Sequence, residues 1–168
     1  MKLTAATVED TRALGEALGT VLRAGDLVIL TGDLGVGKTA LTQGVAAGLG
    51  VFGEVTSPTF VIARVHRPDP VRGRGVGLVH VDAYRLGGSL EVDELDLDTD
   101  LAAGSVTVVE WGAGMAEQLA SSRLEIEIVA DPVTELRELR FVPVGESWND
   151  RLGQLRQRYE QLSSAARN

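Results

Sequence analysis

A glycine-rich run with a lysine near its end occupies residues 32–39 and reads GDLGVGKT. It fits the pattern G-x-x-x-x-G-K-[ST] in full, in which a glycine loop follows a strand and opens a helix. Glycines allow backbone N–H groups to turn toward bulky phosphate oxygens, and the first turn of the helix offers further N–H groups to an anion. The run therefore predicts a phosphate-binding loop.

Lys38 and Thr39 have the side chains that such a loop needs for nucleotide chemistry. Only two of the 16 basic residues are lysines, and a slim ammonium fits among phosphates where a planar guanidinium does not. We expect Lys38 to reach the β- and γ-phosphates and the Thr39 hydroxyl to bind Mg²⁺. The predicted nucleotide-binding residues of the loop are Asp33, Leu34, Gly35, Val36, Gly37, Lys38 and Thr39.

Two carboxylates lie at the ends of apolar segments. The segment GLVHVD (77–82) ends in Asp82, and SVTVVEW (105–111) carries Glu110 near its end. Ligands bind beyond the carboxyl ends of parallel strands, and phosphoryl chemistry needs one group to hold the metal and another to orient water. Asp82 and Glu110 are therefore candidate catalytic residues beside Lys38. The residues alone leave open which of the two binds Mg²⁺.

The hydrophobic patterns predict the elements that position these residues. Strands are predicted at 2–4, 27–31, 60–65, 77–82, 105–111, 123–130 and 136–144, and helices at 8–24, from the loop to Gly48 or Gly50, and from a capping box at Ser147 and Asp150 onward. This order predicts an α/β fold of the P-loop NTPase type, a three-layer sandwich with a mainly parallel sheet and antiparallel strands added at one side. We expect a P-loop domain at 1–145 and a C-terminal helical tail at 146–168, which either packs on the domain or binds a partner.

Composition narrows the function classes. The chain has 168 residues and a formal net charge of −8, which disfavours unaided binding to nucleic acid. It contains no cysteine, which excludes disulfides and thiolate metal sites, and its two histidines, His66 and His80, do not make a credible metal cluster. No apolar run is long enough to span a bilayer, so we expect a cytoplasmic protein without a membrane partner.

Four blocks of sequence occur in a fixed order: GDLGVGKTAL (32–41), SPTFVI (57–62), HVDAYRL (80–86) and VEWG (109–112). Together they resemble the bacterial tRNA threonylcarbamoyladenosine (t6A) biosynthesis ATPase family, TsaE (YjeE), over roughly residues 5–142. The resemblance implies a small P-loop α/β domain with weak, Mg²⁺-dependent ATPase activity. The sequence has no N-K-x-D string for reading guanine, which disfavours GTP.

The resemblance also implies partners. It implies a complex with a threonylcarbamoyl transferase and that enzyme's paralogue, which installs t6A on tRNAs that read ANN codons, so that tRNA is met indirectly through the complex. ATP hydrolysis would reset the complex between turnovers. The residues themselves leave two other functions open, a small-molecule kinase with an arginine-rich lid and an ATP sensor that does not hydrolyse.

Individual residues acquire roles from the same resemblance. Thr39 and Glu110 resemble the residues of the family's Mg²⁺ site, and Asp82 resembles the acid that supports hydrolysis in the family. Residues 57–60 resemble a mobile, switch-like segment of the family, in which Thr59 would sense the nucleotide. Trp111 resembles a tryptophan near the nucleotide, although its position is equally typical of a core aromatic. The resemblance does not cover the arginine-rich segment 67–75, which is either a solvated loop or a contact to tRNA or a partner.

Overall fold

The computed structural model describes residues 1–56, 63–83, 104–114 and 116–165. Its strands are β1 (Lys2–Ala5), β2 (Leu27–Thr31), β3 (Ala63–His66), β4 (Gly77–Asp82), β5 (Ser105–Glu110), β6 (Arg123–Ala130) and β7 (Arg137–Val144). Its α-helices are α1 (Val8–Val21), α2 (Lys38–Leu49) and α3 (Asn149–Ala165), with short 3-10 helices at Glu117–Leu119 and Glu146–Trp148. Thr59 and the first part of the strand predicted at 60–65 lie outside the described residues.

The seven described strands form one mixed sheet in the order β1-β7-β6-β2-β5-β4-β3. Its centre is parallel, because β2 pairs with both β5 and β6, and β5 pairs with β4. The predicted α/β fold with a mainly parallel sheet is confirmed. Antiparallel strands, predicted at one side only, occur at both edges: β7 and β1 at one edge and β3 at the other. The short connection through 67–76 explains β3, since parallel neighbours need a much longer crossover.

The sheet is buried on both faces, which explains the unbroken apolar run of β2. Val28 and Leu30 pack in a core shared with α1, α2 and α3, whereas Leu27 and Ile29 pack on the opposite face with residues that include Ala116. Successive side chains of a strand point to opposite faces, so a strand in this position needs apolar residues throughout. Because β2, β5 and β4 are parallel, their carboxyl ends lie on the same side of the molecule, and these ends carry the phosphate loop, Glu110 and Asp82.

Helices α1 and α2 pack with their backbones in contact. A methyl group on Gly44 would lie 2.1 Å from the carbonyl oxygen of Arg12, and one on Gly15 would lie 2.2 Å from that of Leu41. Gly19 and Gly48 repeat this arrangement one helical turn further along. The four glycines therefore fix the position of α2, the helix that begins at the phosphate loop.

The C-terminal segment packs on α1. Trp148 is buried, and the Arg151 guanidinium lies 4.0 Å from its ring centroid while pairing with the Asp26 carboxylate. The Tyr159 hydroxyl donates to the Thr4 carbonyl oxygen at 3.0 Å. The predicted capping box is wrong: Ser147 lies inside a 3-10 helix, and its hydroxyl hydrogen-bonds with that of Ser122 at 2.9 Å.

The arginine-rich segment forms a turn against the ends of α1 and α2. Its Arg74 guanidinium donates to the carbonyl oxygen of Gly19 at 2.7 Å, so this arginine caps the C-terminal turn of α1. Arg67 and Arg72 are exposed. Within the described ranges, no helix is both long and apolar enough to cross a membrane.

Candidate functional site

The phosphate loop leads into a helix whose N-cap residue, Gly37, has no side chain to cap it. Gly35 and Gly37 have φ angles of +76° and +117°, which side chains with a Cβ rarely adopt. No side-chain hydrogen bond caps α2 at Gly37, whereas Thr7 and Asp10 form a complete capping box at α1. The first N–H groups of α2 have no partner one turn earlier in the helix. This helix start therefore suits an anion, which would satisfy those N–H groups.

Lys38 is buried in the loop that precedes it. Its Nζ donates to the carbonyl oxygens of Gly32 and Asp33 at 2.7 and 2.8 Å. Burial lowers the pKa of Lys38, and the nearby Glu110, Asp33 and Asp82 carboxylates partly oppose this shift. The ammonium is thus held within the loop by two of its carbonyl oxygens.

Trp111 provides the wall of the site behind Lys38. Its φ angle of +62° is unusual for a bulky residue, and its backbone N–H donates to the Leu30 carbonyl oxygen at 2.9 Å. This conformation places the indole ring 3.7 Å from the Lys38 Nζ, within the range of a cation–π interaction. Strained backbone of this kind clusters at functional sites, and Trp111 lies at the site and not in a separate core.

Thr39 and the two predicted carboxylates meet beside this lysine. The Thr39 hydroxyl donates to the Glu110 carboxylate, at 3.1 Å from Oε1 and 3.3 Å from Oε2. Asp82 is the register partner of Glu110 across the parallel pair β4 and β5. Both acids are buried. The structure therefore brings Lys38, Thr39, Asp82 and Glu110 together, as the sequence analysis expects.

The remaining loop residues contribute through the backbone. Asp33, Leu34 and Gly35 are exposed, and Asp33 contacts Lys38 by its carbonyl oxygen. Val36 is buried in the core and anchors the loop. Thr59, the other residue predicted to contact nucleotide, is outside the described ranges.

His80 is a site residue whose role the sequence analysis missed. Its Nε2 lies 2.7 Å from Oε1 of Glu110, and the side chain is fully buried. The sequence analysis weighs this histidine only as a metal ligand. The alternation of side chains along β4 could have indicated this role, because His80 and Asp82 lie on the same face of the strand.

Arg137 also reaches the site without a sequence signal. Its Nε donates to the Val36 carbonyl oxygen at 3.0 Å, and its side chain lies beside Gly37. The contact joins the first residue of β7 to a loop 101 residues earlier in the chain. Since it depends on the order of strands in the sheet, no local pattern predicts it.

The donor set at this site fits Mg²⁺ and a nucleotide. Mg²⁺ prefers oxygen ligands, keeps several waters and binds through one or two protein groups together with phosphates. Thr39 and Glu110 offer a hydroxyl and a carboxylate within hydrogen-bond distance of each other. The start of α2 and the Lys38 ammonium adjoin Thr39 in the chain and suit phosphate oxygens.

Comparisons with known proteins agree on one family. A family model described as threonylcarbamoyl adenosine biosynthesis protein TsaE matches residues 5–139. The tRNA threonylcarbamoyladenosine biosynthesis protein TsaE of Streptomyces coelicolor is 55% identical over 141 residues, which is 82% of this chain and 93% of that protein. The protein of the same name from Bacillus subtilis is 36% identical over 140 residues, 83% of this chain and 84% of its own.

A solved structure supports the same fold. The chain is similar to the crystal structure of Bacillus subtilis YdiB, with a TM-score of 0.73 and 31% sequence identity. The similarity covers 94% of each chain.

Proposed function

The chain belongs to the TsaE family of tRNA threonylcarbamoyladenosine biosynthesis proteins, and from this membership we propose that it is a Mg²⁺-dependent ATPase of t6A synthesis. One observation carries the ATPase part of the proposal: the Thr39 hydroxyl hydrogen-bonds to Glu110 next to a buried Lys38. This is the side-chain set that phosphate loops use to hold a nucleotide with its metal.

Each group has a defined task in this proposal. Lys38 neutralises the β- and γ-phosphates of ATP, and the N–H groups at the start of α2 bind their oxygens. Thr39 donates its hydroxyl hydrogen to Glu110, so that a hydroxyl lone pair would be available to hold the metal. Mg²⁺, when bound, neutralises charge that develops on the phosphate oxygens. Glu110 thus orients the Thr39 hydroxyl and, with Thr39, would hold the Mg²⁺ ion.

Asp82 is assigned to the attacking water. It is buried at the end of β4 and is the cross-strand neighbour of Glu110. A carboxylate in that position can accept a hydrogen bond from water and direct its oxygen toward the γ-phosphate. In this proposal the two acids therefore have different roles: Glu110 belongs to the metal site and Asp82 orients the attacking water.

The proposed partners are a threonylcarbamoyl transferase and its paralogue. The relatives are named as t6A biosynthesis proteins. A chain with a net charge of −8 suits contact with RNA through other proteins. We infer that ATP hydrolysis resets this complex between rounds of modification. In hydrolysis the phosphoryl group is transferred to water, so this proposal requires no pocket for a small-molecule acceptor.

Glu110→Gln tests the proposed metal site. The amide keeps the shape of the carboxylate but loses its charge, so we expect the Mg²⁺ concentration for half-maximal ATP hydrolysis to rise about 10- to 100-fold. The measurement is ADP release by the full complex across a Mg²⁺ titration. Glu138→Gln is the matched control, because Glu138 pairs with Lys2 on the surface.

The products of the same assay separate this proposal from a kinase. ADP and inorganic phosphate should be the only phosphorus-containing products. A phosphorylated small molecule, or an unchanged Mg²⁺ requirement in Glu110→Gln, would contradict the proposal.

A further inference from the structure

His80 is a fully buried polar side chain in a strand whose other side chains, apart from Asp82 at its end, are apolar. Its neighbours in β4 are Leu78, Val79 and Val81. Burying an imidazole costs free energy unless its nitrogens are hydrogen-bonded. The Nε2 atom has Glu110 as its partner at 2.7 Å, whereas Nδ1 has no partner within the described part of the chain. A position that served packing alone would favour an apolar residue here.

The hydrogen-bond directions at Glu110 follow from its partners. The Thr39 hydroxyl donates to this carboxylate, so Glu110 acts as an acceptor. The hydrogen of the close contact with His80 must then lie on Nε2, because a carboxylate that only accepts needs a donor opposite. The two donors converge on Oε1, at 3.1 Å from Thr39 and 2.7 Å from His80. A hydrogen-bonded row therefore runs from His80 through Glu110 to Thr39.

We propose that His80 is the positioning residue of the metal site: it donates from Nε2 to Glu110 and fixes the carboxylate that orients Thr39. This inference rests on the proposed function and extends it by one residue, because His80 contacts Glu110 and is assigned no contact with nucleotide or metal. With Glu110 fixed, the Thr39 hydroxyl hydrogen stays directed to the carboxylate, and a hydroxyl lone pair would be left to hold Mg²⁺. Partners behind a metal-orienting group commonly affect metal affinity 10- to 100-fold when they are lost.

Three substitutions separate positioning from packing. Gln places its amide N–H at about the distance of Nε2 from the backbone, whereas Asn is shorter and Leu has no donor. We expect His80→Leu and His80→Asn to raise the Mg²⁺ concentration for half-maximal binding of a fluorescent ATP analogue about tenfold or more. His80→Gln should remain within about threefold of the original protein, because it restores the donor.

Binding of the same analogue without Mg²⁺ is the internal control. It depends on Lys38 and the start of α2, so it should be unchanged in all three variants. Equal Mg²⁺ dependence of His80→Gln and His80→Asn would overturn the inference, even if the leucine variant folds poorly. A change in metal-free binding as large as the change in the Mg²⁺ requirement would also overturn it, because His80 would then act on the whole fold.

Glu110→Gln in the same titration distinguishes a failure of the His80 inference from a failure of the proposed metal site. If Glu110→Gln raises the Mg²⁺ requirement and the three His80 variants do not differ, the inference fails and the proposed function stands. If Glu110→Gln has no effect, the proposed metal site fails, and the inference fails with it.

Discussion

Lys38→Arg is expected to weaken ATP binding on the order of 100-fold, about 2.7 kcal/mol, nearly as much as Lys38→Ala. Lysine and arginine are both cations, so the expected loss of affinity comes from the different shapes of their side chains. The Lys38 Nζ is held by two carbonyl oxygens at 2.7 and 2.8 Å and lies 3.7 Å from the Trp111 ring centroid. A planar guanidinium is too wide for this space. The measurement is equilibrium binding of ATP with Mg²⁺ present.

The other lysine of the chain provides the control. Lys2 lies on the edge strand β1 and pairs with Glu138 at 2.7 Å on the surface. Lys2→Arg should leave ATP binding unchanged, because an exposed ion pair accepts either cation. If Lys38→Arg binds and hydrolyses ATP normally, the argument from the shape of the loop is wrong.

Gly44→Ala is expected to lower the free energy of unfolding by about 2 to 3 kcal/mol. The added methyl group would lie 2.1 Å from the carbonyl oxygen of Arg12 and 2.8 Å from Cα of Gly15. Both contacts are with backbone of α1, so the helices must move apart, and overpacking of this kind costs about 1 to 3 kcal/mol or more. Denaturant unfolding measures the change. Because α2 carries Lys38 and Thr39, weaker ATP binding should accompany it.

Gly153→Ala is the matched control with the opposite sign. Gly153 lies inside α3, and a methyl group there would meet no atom within 4 Å. Alanine should therefore raise the free energy of unfolding by about 0.5 to 1 kcal/mol through its higher helix propensity. If Gly44→Ala were as stable as Gly153→Ala, the close packing of α1 on α2 would be contradicted.

Local patterns predicted the elements around the site well. The apolar run 27–31 became β2, and the segments ending at Asp82 and Glu110 became β4 and β5. These predictions succeeded because burial on both faces of a sheet imposes a continuous apolar pattern. Parallel pairing of central strands places their carboxyl ends side by side. The proximity of Asp82 to Glu110 was therefore also predictable.

Contacts between distant segments were not predictable from local patterns. The antiparallel β3, the bond from Arg137 to Val36 and the packing of Gly15 against Gly44 all depend on how whole elements are arranged. His80 is an intermediate case, since its strand and face could be deduced, whereas its distance to Glu110 could not. Arg74 shows the same limit: its charge indicated a solvated or binding surface, and the structure uses it to cap α1.

The central claim is that ATP hydrolysis at Lys38, Thr39 and Glu110 resets a t6A-forming complex. Its most direct test is t6A formation over many turnovers by the threonylcarbamoyl transferase and its paralogue, with either the original chain or Lys38→Ala. We predict sustained t6A formation with the original chain and ATP, and arrest after the first round with Lys38→Ala. Equal multiple-turnover rates with the two proteins would contradict the account.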